Sequence, residues 1–206
     1  DRTIVVFERL RPRGERRRGH VAGNVDVIHA FPDLPPETQA AIAGVHALND
    51  CYAYGATEER VLRPVVGVPE SADEPRRDEV ERWYRVGHSD GIALRRPTII
   101  RHDGDGWLFG ATVTAGLSHA PPIHSGRLEP GDCVLLSRPL GAVPALSAAR
   151  EAGVRASIQR AVETLAIDHT RVGEVTAPLS LDAAIEFEPP RHLKLSPDVS
   201  APGLRG

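Results

Sequence analysis

The sequence predicts an α/β (α+β) fold built around a mixed, mainly antiparallel sheet. Several short runs rich in β-branched residues alternate with segments of helical period. Two of the strand-like runs are joined only by the turn at residues 102–106, whose Asp-Gly pairs supply the positive φ angles of a tight turn. Neighbouring parallel strands need a long crossover, so these hairpin-compatible pairs favour antiparallel pairing over a doubly wound parallel sheet.

The first third of the chain predicts two strands followed by a long helix. Residues 3–8 (TIVVFE) and 21–28 are strand-like, and an arginine-rich loop joins them. Pro35 and Pro36 stand where helix N-termini accept proline, and Gly55 suits a helix end, so we predict a helix between them. Apolar residues recur in this segment at helical spacing, namely Ile42, Val45, Leu48 and Tyr52.

The same periodicities predict the remaining elements. Further strands are expected at residues 61–68, 91–100, 107–114, 132–137 and 170–176. Helices are expected at residues 71–85, 145–152 and 156–165. The tail from Glu188 is rich in proline and glycine, so we expect it to be loosely structured or incomplete.

Composition and charge exclude several classes of protein. At 206 residues the chain fits one large domain, or one domain and part of a second. A formal net charge of −3 gives no reason to expect nucleic acid or an anionic membrane as partner, and no apolar run approaches the ~20 residues of a membrane helix. Two cysteines make no disulfide framework, so we expect a cytoplasmic compartment. The chain begins at Asp1 and lacks methionine, so we expect it to be a fragment.

Common catalytic motifs are missing from the sequence. It has no Walker-type phosphate loop, no Gly-x-Gly-x-x-Gly after a strand and no Gly-x-Ser-x-Gly elbow. His119 and His124 have a spacing that suits a transition metal, but no third ligand stands within reach in the sequence. A metal-dependent hydrolase that uses these histidines is therefore a minor alternative.

The predicted long helix carries one acid, Asp50, near the end of an otherwise apolar, small-residue stretch. A carboxylate in such surroundings costs free energy unless a cation, a donor or water compensates it, so Asp50 is a candidate metal or phosphate-site residue. Its neighbour Cys51 points about 100° away on a helix and is expected to be a packed small hydrophobe. Asp26, in the second strand, is either an outward strand position or a site residue. The interpretation of Glu174 is similarly ambiguous.

Three blocks resemble the selenophosphate synthetases (selenide, water dikinases) of the aminoimidazole ribonucleotide synthetase-like superfamily. The block Ala47-Leu-Asn-Asp-Cys-Tyr-Ala-Tyr-Gly55 is similar to the family's Asn-Ala-Leu-Ser-Asp-x-Tyr-Ala-Met-Gly-Gly helix, and Val65-Val-Gly-Val-Pro69 to the strand after it. The block Gly131-Asp-Cys-Val-Leu-Leu-Ser-Arg-Pro-Leu-Gly141 is similar to Gly-Asp-x-Leu-Ile-Leu-Thr-Lys-Pro-Leu-Gly. A weaker block, Glu174-Val-Thr176, stands where the family has Asp-Val-Thr-Gly-Phe-Gly-Leu.

The resemblance implies two domains and a homodimer. Residues 1–144 would form an N-terminal domain that dimerises through its sheet and binds ATP and Mg²⁺ at the dimer interface. Residues 145–206 would form a partial or reduced C-terminal α/β domain.

The resemblance also implies metal-binding and nucleotide-binding residues, and it leaves the catalytic residues unknown. Asp50 matches the family aspartate that binds magnesium and nucleotide phosphate, and its neighbour Asn49 falls in the same block. Mg²⁺ takes oxygen ligands and bridges protein acids to polyphosphate, so acids on several elements fit such a site. The metal ligands implied are Asp1, Asp50 and Glu174, and the nucleotide contacts are Asp26, Asn49, Asp50, Arg95 and Arg96, the two arginines standing in place of a Gly-Gly-His motif.

Two functions follow as hypotheses. The first is a Mg²⁺-dependent, ATP-binding phosphotransferase similar to selenophosphate synthetase, with selenide as a candidate acceptor. The second is a non-catalytic dimeric nucleotide-binding or regulatory relative. It is motivated by the missing glycine-rich Cys and Lys segment and by Thr176-Ala-Pro-Leu-Ser180, which lacks the family's glycines.

Overall fold

Six strands and five helices make up the part of the chain that the computed structural model describes, residues 5–9, 19–88, 91–117, 131 and 135–176. The strands are β1 (Val5–Arg9), β2 (Gly19–His29), β3 (Glu58–Pro69), β4 (Ala93–Leu94), β5 (Thr98–His102) and β6 (Leu108–Leu117). The helices are α1 (Pro36–Ala53), α2 (Arg77–Val86), α3 (Ala142–Glu151), α4 (Arg155–Leu165) and α5 (Thr170–Thr176).

The strands form one mixed sheet in the order β1-β2-β6-β3-β4, with β5 also paired to β3. The pairs β1–β2, β2–β6 and β6–β3 are antiparallel, whereas β4 and β5 run parallel to β3. A parallel return requires a crossover, and α2 provides it between β3 and the two short strands. The predicted mixed, mainly antiparallel sheet is confirmed.

The long helix α1 covers one face of this sheet. Its small residues allow close approach, and Gly44 lies so near α2's end that an added Cβ would stand 2.2 Å from His88 Nε2. Beneath the helix, alternate residues of β6 are buried, as the two-residue period of a strand requires. This buried row consists of Phe109, Ala111, Val113, Ala115 and Leu117.

The opposite face of the sheet presents apolar residues to solvent. On β2, Val25 is 59% exposed and Val27 is 39% exposed, because odd-numbered residues there point away from α1. These two valines are therefore in contact with solvent on the face that α1 leaves uncovered.

Several predicted elements differ from the observed ones. The predicted strand at 170–176 is wrong, since these residues form helix α5. Asp168 Oδ1 accepts a hydrogen bond from the Thr170 amide at 2.7 Å, which satisfies a free donor where this helix begins. The predicted strand at 91–100 divides into β4 and β5, because Pro97 cannot donate to a ladder. Helix α2 begins six residues later than predicted, two residues after Pro75.

Most other predicted elements are confirmed within a few residues. These are the strands at 3–8, 21–28, 61–68 and 107–114 and the helices at 37–55, 145–152 and 156–165. Residues 135–137 form no strand, while 132–134 and the tail from Glu188 lie outside the described residues. Among the described helices, none combines the length and apolar character needed to span a bilayer.

Candidate functional site

A column of four polar side chains lies between β2 and α1. Asn24 and Asp26 are two residues apart on β2 and therefore share the face that α1 covers. His46 and Asp50 are four residues apart on α1 and therefore share one side of the helix. The column consists of two pairs, Asn24 with Asp50 and Asp26 with His46.

The first pair is almost completely buried, with Asn24 and Asp50 each 2% exposed. Asn24 Nδ2 donates to Asp50 Oδ2 at 2.8 Å and to the Ala47 carbonyl at 3.1 Å. Both partners are acceptors, which defines the orientation of the amide. Asn24 Oδ1 is buried and receives no hydrogen bond within the described residues. An unpaired buried acceptor costs about 1–3 kcal/mol, so this oxygen is suited to a cation or a donor.

The second pair is partly accessible. Asp26 Oδ2 lies 3.6 Å from His46 Nε2, and the two side chains are 10% and 17% exposed. At this distance the attraction is ionic only when the imidazole is protonated. Asp26 Oδ1 also accepts a hydrogen bond from the Val27 amide at 2.9 Å. The sequence did not determine the face of β2 on which the Asp26 side chain lies. In the structure, this side chain points toward α1 and belongs to the candidate site.

Asn49 faces the segment before α5 rather than Asn24. Its Nδ2 donates to the Ile167 carbonyl at 3.3 Å, and its Oδ1 accepts from the His169 amide at 3.1 Å. Beside it, Arg60 donates to Thr170 Oγ1 at 2.9 Å. The amide of Asn49 therefore fastens α1 to the segment that leads into α5.

The other predicted site residues lie apart from the column. Arg95 and Arg96 are exposed and follow β4, whose Leu94 is three strands from Asn24 in the sheet register, or about 14 Å at ~4.8 Å per strand. Glu174 pairs with Arg171 at 3.0 Å on α5. Asp1 lies outside the described residues. Within the described part of the chain, no three His, Cys, Asp or Glu side chains are grouped to hold a metal ion.

Two members of the column, Asn24 and His46, were not predicted as site residues. Their spacing carried a usable signal, because Asn24 stands two residues before Asp26 on a strand and His46 four residues before Asp50 on a helix.

Cys51 is a packed residue, as predicted. It is fully buried, and burial raises the pKa of its thiol to about 12, with the negative charge of Asp50 contributing further. The thiol is therefore protonated at neutral pH and unsuited to nucleophilic attack.

Comparison with known proteins shows the fold. No family model and no curated protein matches the chain. Among solved structures, thiamine-monophosphate kinase from Stenotrophomonas maltophilia K279a is similar, at 18% identity and a TM-score of 0.56, over 82% of this chain and 56% of that one. Thiamine monophosphate kinase from Aquifex aeolicus is similar at 15% identity and a TM-score of 0.53, over 76% and 55% of the two chains. AaThiL complexed with AMPPCP and TMP is similar at 12% identity and a TM-score of 0.53, over 77% and 53%.

The chain therefore spans a little over half the length of these structures. Their fold is that of the N-terminal domain of the aminoimidazole ribonucleotide synthetase-like superfamily, which confirms the fold that the resemblance implied. Selenophosphate synthetase in particular is not supported, because the neighbours are thiamine-monophosphate kinases.

Proposed function

We propose that this chain is part of a Mg²⁺-dependent, ATP-binding phosphotransferase, and that the column between β2 and α1 is its nucleotide and metal site. One observation carries the proposal: the buried carboxylate of Asp50 lies beside the buried, unpaired Oδ1 of Asn24. Carboxylate and carbonyl oxygens are the ligands that Mg²⁺ prefers, and the arrangement places both on rigid elements.

The fold supports a nucleotide as the ligand. One similar structure holds AMPPCP, an ATP analogue, together with TMP. The absence of a three-residue metal cluster among the described residues fits Mg²⁺, which is usually bound through one or two carboxylates plus substrate phosphates. Nucleotide and metal binding by this chain would therefore be mutually dependent.

The column suggests a division of roles among its residues. Asp50 and Asn24 Oδ1 would hold the metal ion, which would neutralise charge on the phosphates. Asp26 would supply a second carboxylate, and His46 would orient it from the helix side. Asp1, Asn49, Glu174, Arg95 and Arg96 remain predicted contacts to phosphate or metal.

The acceptor and the completeness of the enzyme are further parts of the proposal. Selenide is the acceptor that the sequence resemblance implies, and a phosphate monoester is the acceptor suggested by the neighbours' names and the TMP complex. ATP consumption measured with selenide and with thiamine monophosphate would distinguish the two. Mg·ATP binding without turnover on either would favour the non-catalytic relative.

The decisive experiment is calorimetric titration of ATP, with and without Mg²⁺, into the wild type and Asp50→Asn. Asp78→Asn is the matched control, because Asp78 is an exposed aspartate on α2 that pairs with Arg76. We expect saturable, Mg²⁺-dependent binding to the wild type and the control, and at least tenfold weaker binding to Asp50→Asn. Unchanged binding by a folded Asp50→Asn variant would contradict the site, and absence of binding by the wild type would contradict the function.

We also propose that the chain forms a homodimer through the open sheet face. The exposed valines Val25 and Val27 lie there, and the face is not covered by α1. The double variant Val25→Asp/Val27→Asp should be monomeric in light scattering. Val86→Asp is the control, since Val86 is 70% exposed and is the last residue of α2 rather than part of a strand. A wild type that is monomeric at the concentrations tested would refute this interface.

A further inference from the structure

A cleft of about 680 Å³ lies at the opposite end of α1 from Asp50. The β2–α1 loop, the segment before α2 and the turn before β6 enclose it. Gln39 lines this cleft and precedes Asp50 by eleven helical residues, which is about 16 Å at ~1.5 Å per residue. The cleft is therefore distinct from the proposed nucleotide site.

An aromatic wall forms one side of the cleft. The Trp107 ring stacks on Phe109 with centroids 6.4 Å apart, and Phe109 contacts Trp83 at 6.1 Å. Phe109 and Trp83 are buried, whereas Trp107 and Phe31 are half-buried and offer ring surface to the cleft. The chain has two tryptophans, and both belong to this wall.

An acidic rim surrounds the aromatic wall. The described lining includes four acids and no lysine, arginine or histidine. Arg150 compensates Asp33 through a 2.6 Å ion pair. The carboxylates of Asp73, Glu74 and Glu79 pair with no cation among the described residues, so their charge remains available to a ligand.

The walls of the cleft are held in place without a ligand. Gln39 is 3% exposed, and its Oε1 accepts a hydrogen bond from the Phe31 amide at 2.9 Å. Its Nε2 donates to the Phe31 and Leu34 carbonyls, so the side chain holds the β2–α1 loop in place. Arg101 donates to the Glu70 and Ala72 carbonyls at 2.9 Å and fastens the segment that carries the acidic rim. A preformed site loses little free energy to ordering when it binds a ligand.

We propose that this cleft binds a small organic cation bearing a quaternary ammonium group. Aromatic faces attract such cations, and the uncompensated carboxylates add long-range attraction. A volume of about 680 Å³ suits a small molecule.

The test is a fluorescence titration of the whole chain with choline and with 3,3-dimethylbutan-1-ol, its neutral isostere. Both tryptophans line the cleft, so their emission reports on its occupancy. We expect a saturable change with choline and at least tenfold weaker binding of the alcohol. Equal binding of the two ligands would overturn the proposal. A protein that binds arginine amide but does not bind choline would also overturn it, because the occupant would then be a protein side chain.

Variants separate the cleft from the rest of the molecule. Glu74→Gln/Glu79→Gln should weaken choline binding at least fivefold, because both acids line the rim. Asp78→Asn is the control, since Asp78 adjoins Glu79 on α2 but does not line the cleft. Choline binding should persist in Asp50→Asn, so failure of the nucleotide proposal leaves this one intact. Unchanged affinity in the glutamine double variant would refute it.

Discussion

Removing Asn24 tests how far the buried carboxylate of Asp50 depends on its partner. In the wild type, Asn24 Nδ2 bonds the carboxylate at 2.8 Å and the Ala47 carbonyl at 3.1 Å. Asn24→Ala deletes both hydrogen bonds and leaves Asp50 in surroundings where it is 2% exposed. The carboxylate then loses a charge-assisted partner without gaining water.

The expected destabilisation is about 1–2 kcal/mol. A hydrogen bond to a charged group contributes about 1.5–3 kcal/mol and a neutral one about 1 kcal/mol, while deleting the unpaired Oδ1 of Asn24 returns about 1–3 kcal/mol. For a chain of this size, a change of this magnitude lowers Tm by about 2–8 °C. Asp50→Ala alone should cost less, because it also removes a buried charge.

The assay is a double-mutant cycle of Asn24→Ala and Asp50→Ala, followed by urea unfolding without nucleotide. We expect a coupling free energy of about 2 kcal/mol, so that the double variant is more stable than the two single changes predict together. Additive effects within about 0.5 kcal/mol would refute the idea that Asn24 holds the charged form of Asp50.

Two further predictions concern stability. Burial lowers the pKa of His88 to about 4 from 6.5, so between these values the unfolded chain binds a proton that the folded chain does not. The free energy of unfolding should therefore fall by up to about 3 kcal/mol as the pH drops through this window. His88→Gln should flatten the profile of Tm against pH. An unchanged slope in this variant would contradict the assignment of the pH dependence to His88. A Cβ at Gly110 would stand 2.2 Å from the Asp26 carbonyl, whereas at Gly116 on the same strand the nearest atom is 3.4 Å away. Gly110→Ala should therefore cost at least about 1–3 kcal/mol in denaturant titrations and Gly116→Ala much less, and equal costs would show that the strands can shift apart.

Local patterns in the sequence predicted most of the fold. Helix α1 was predicted because Pro35 and Pro36 precede it, Gly55 follows it and its apolar residues keep a helical spacing. Helix α5 was mistaken for a strand, because Val172 and Val175 are β-branched and the interactions that decide its conformation are tertiary. Among them is the close approach of Gly173 to α1, where an added Cβ would stand 2.9 Å from the Tyr52 carbonyl.

The site was predictable only in part. Asp50 stood out as a lone acid among apolar residues, and the structure shows it buried. The role of Asn24 depends on the register between β2 and α1, which no local pattern in the sequence determines. For the same reason, the separation of about 14 Å between Asn24 and Leu94, the residue before Arg95, follows only from the strand order.

The position of β6 has a consequence for how the chain is made. Among the described strands it is the last in sequence, yet it inserts between β2 and β3, where Leu108 pairs with His29. During synthesis, β2 and α1 emerge well before the strand that completes the surface beneath them. Folding through such distant pairings is slow and leaves apolar edges exposed meanwhile. The sheet would thus be completed only after Leu117 has left the ribosome. The burial of the Asn24–Asp50 pair would occur in the same late step.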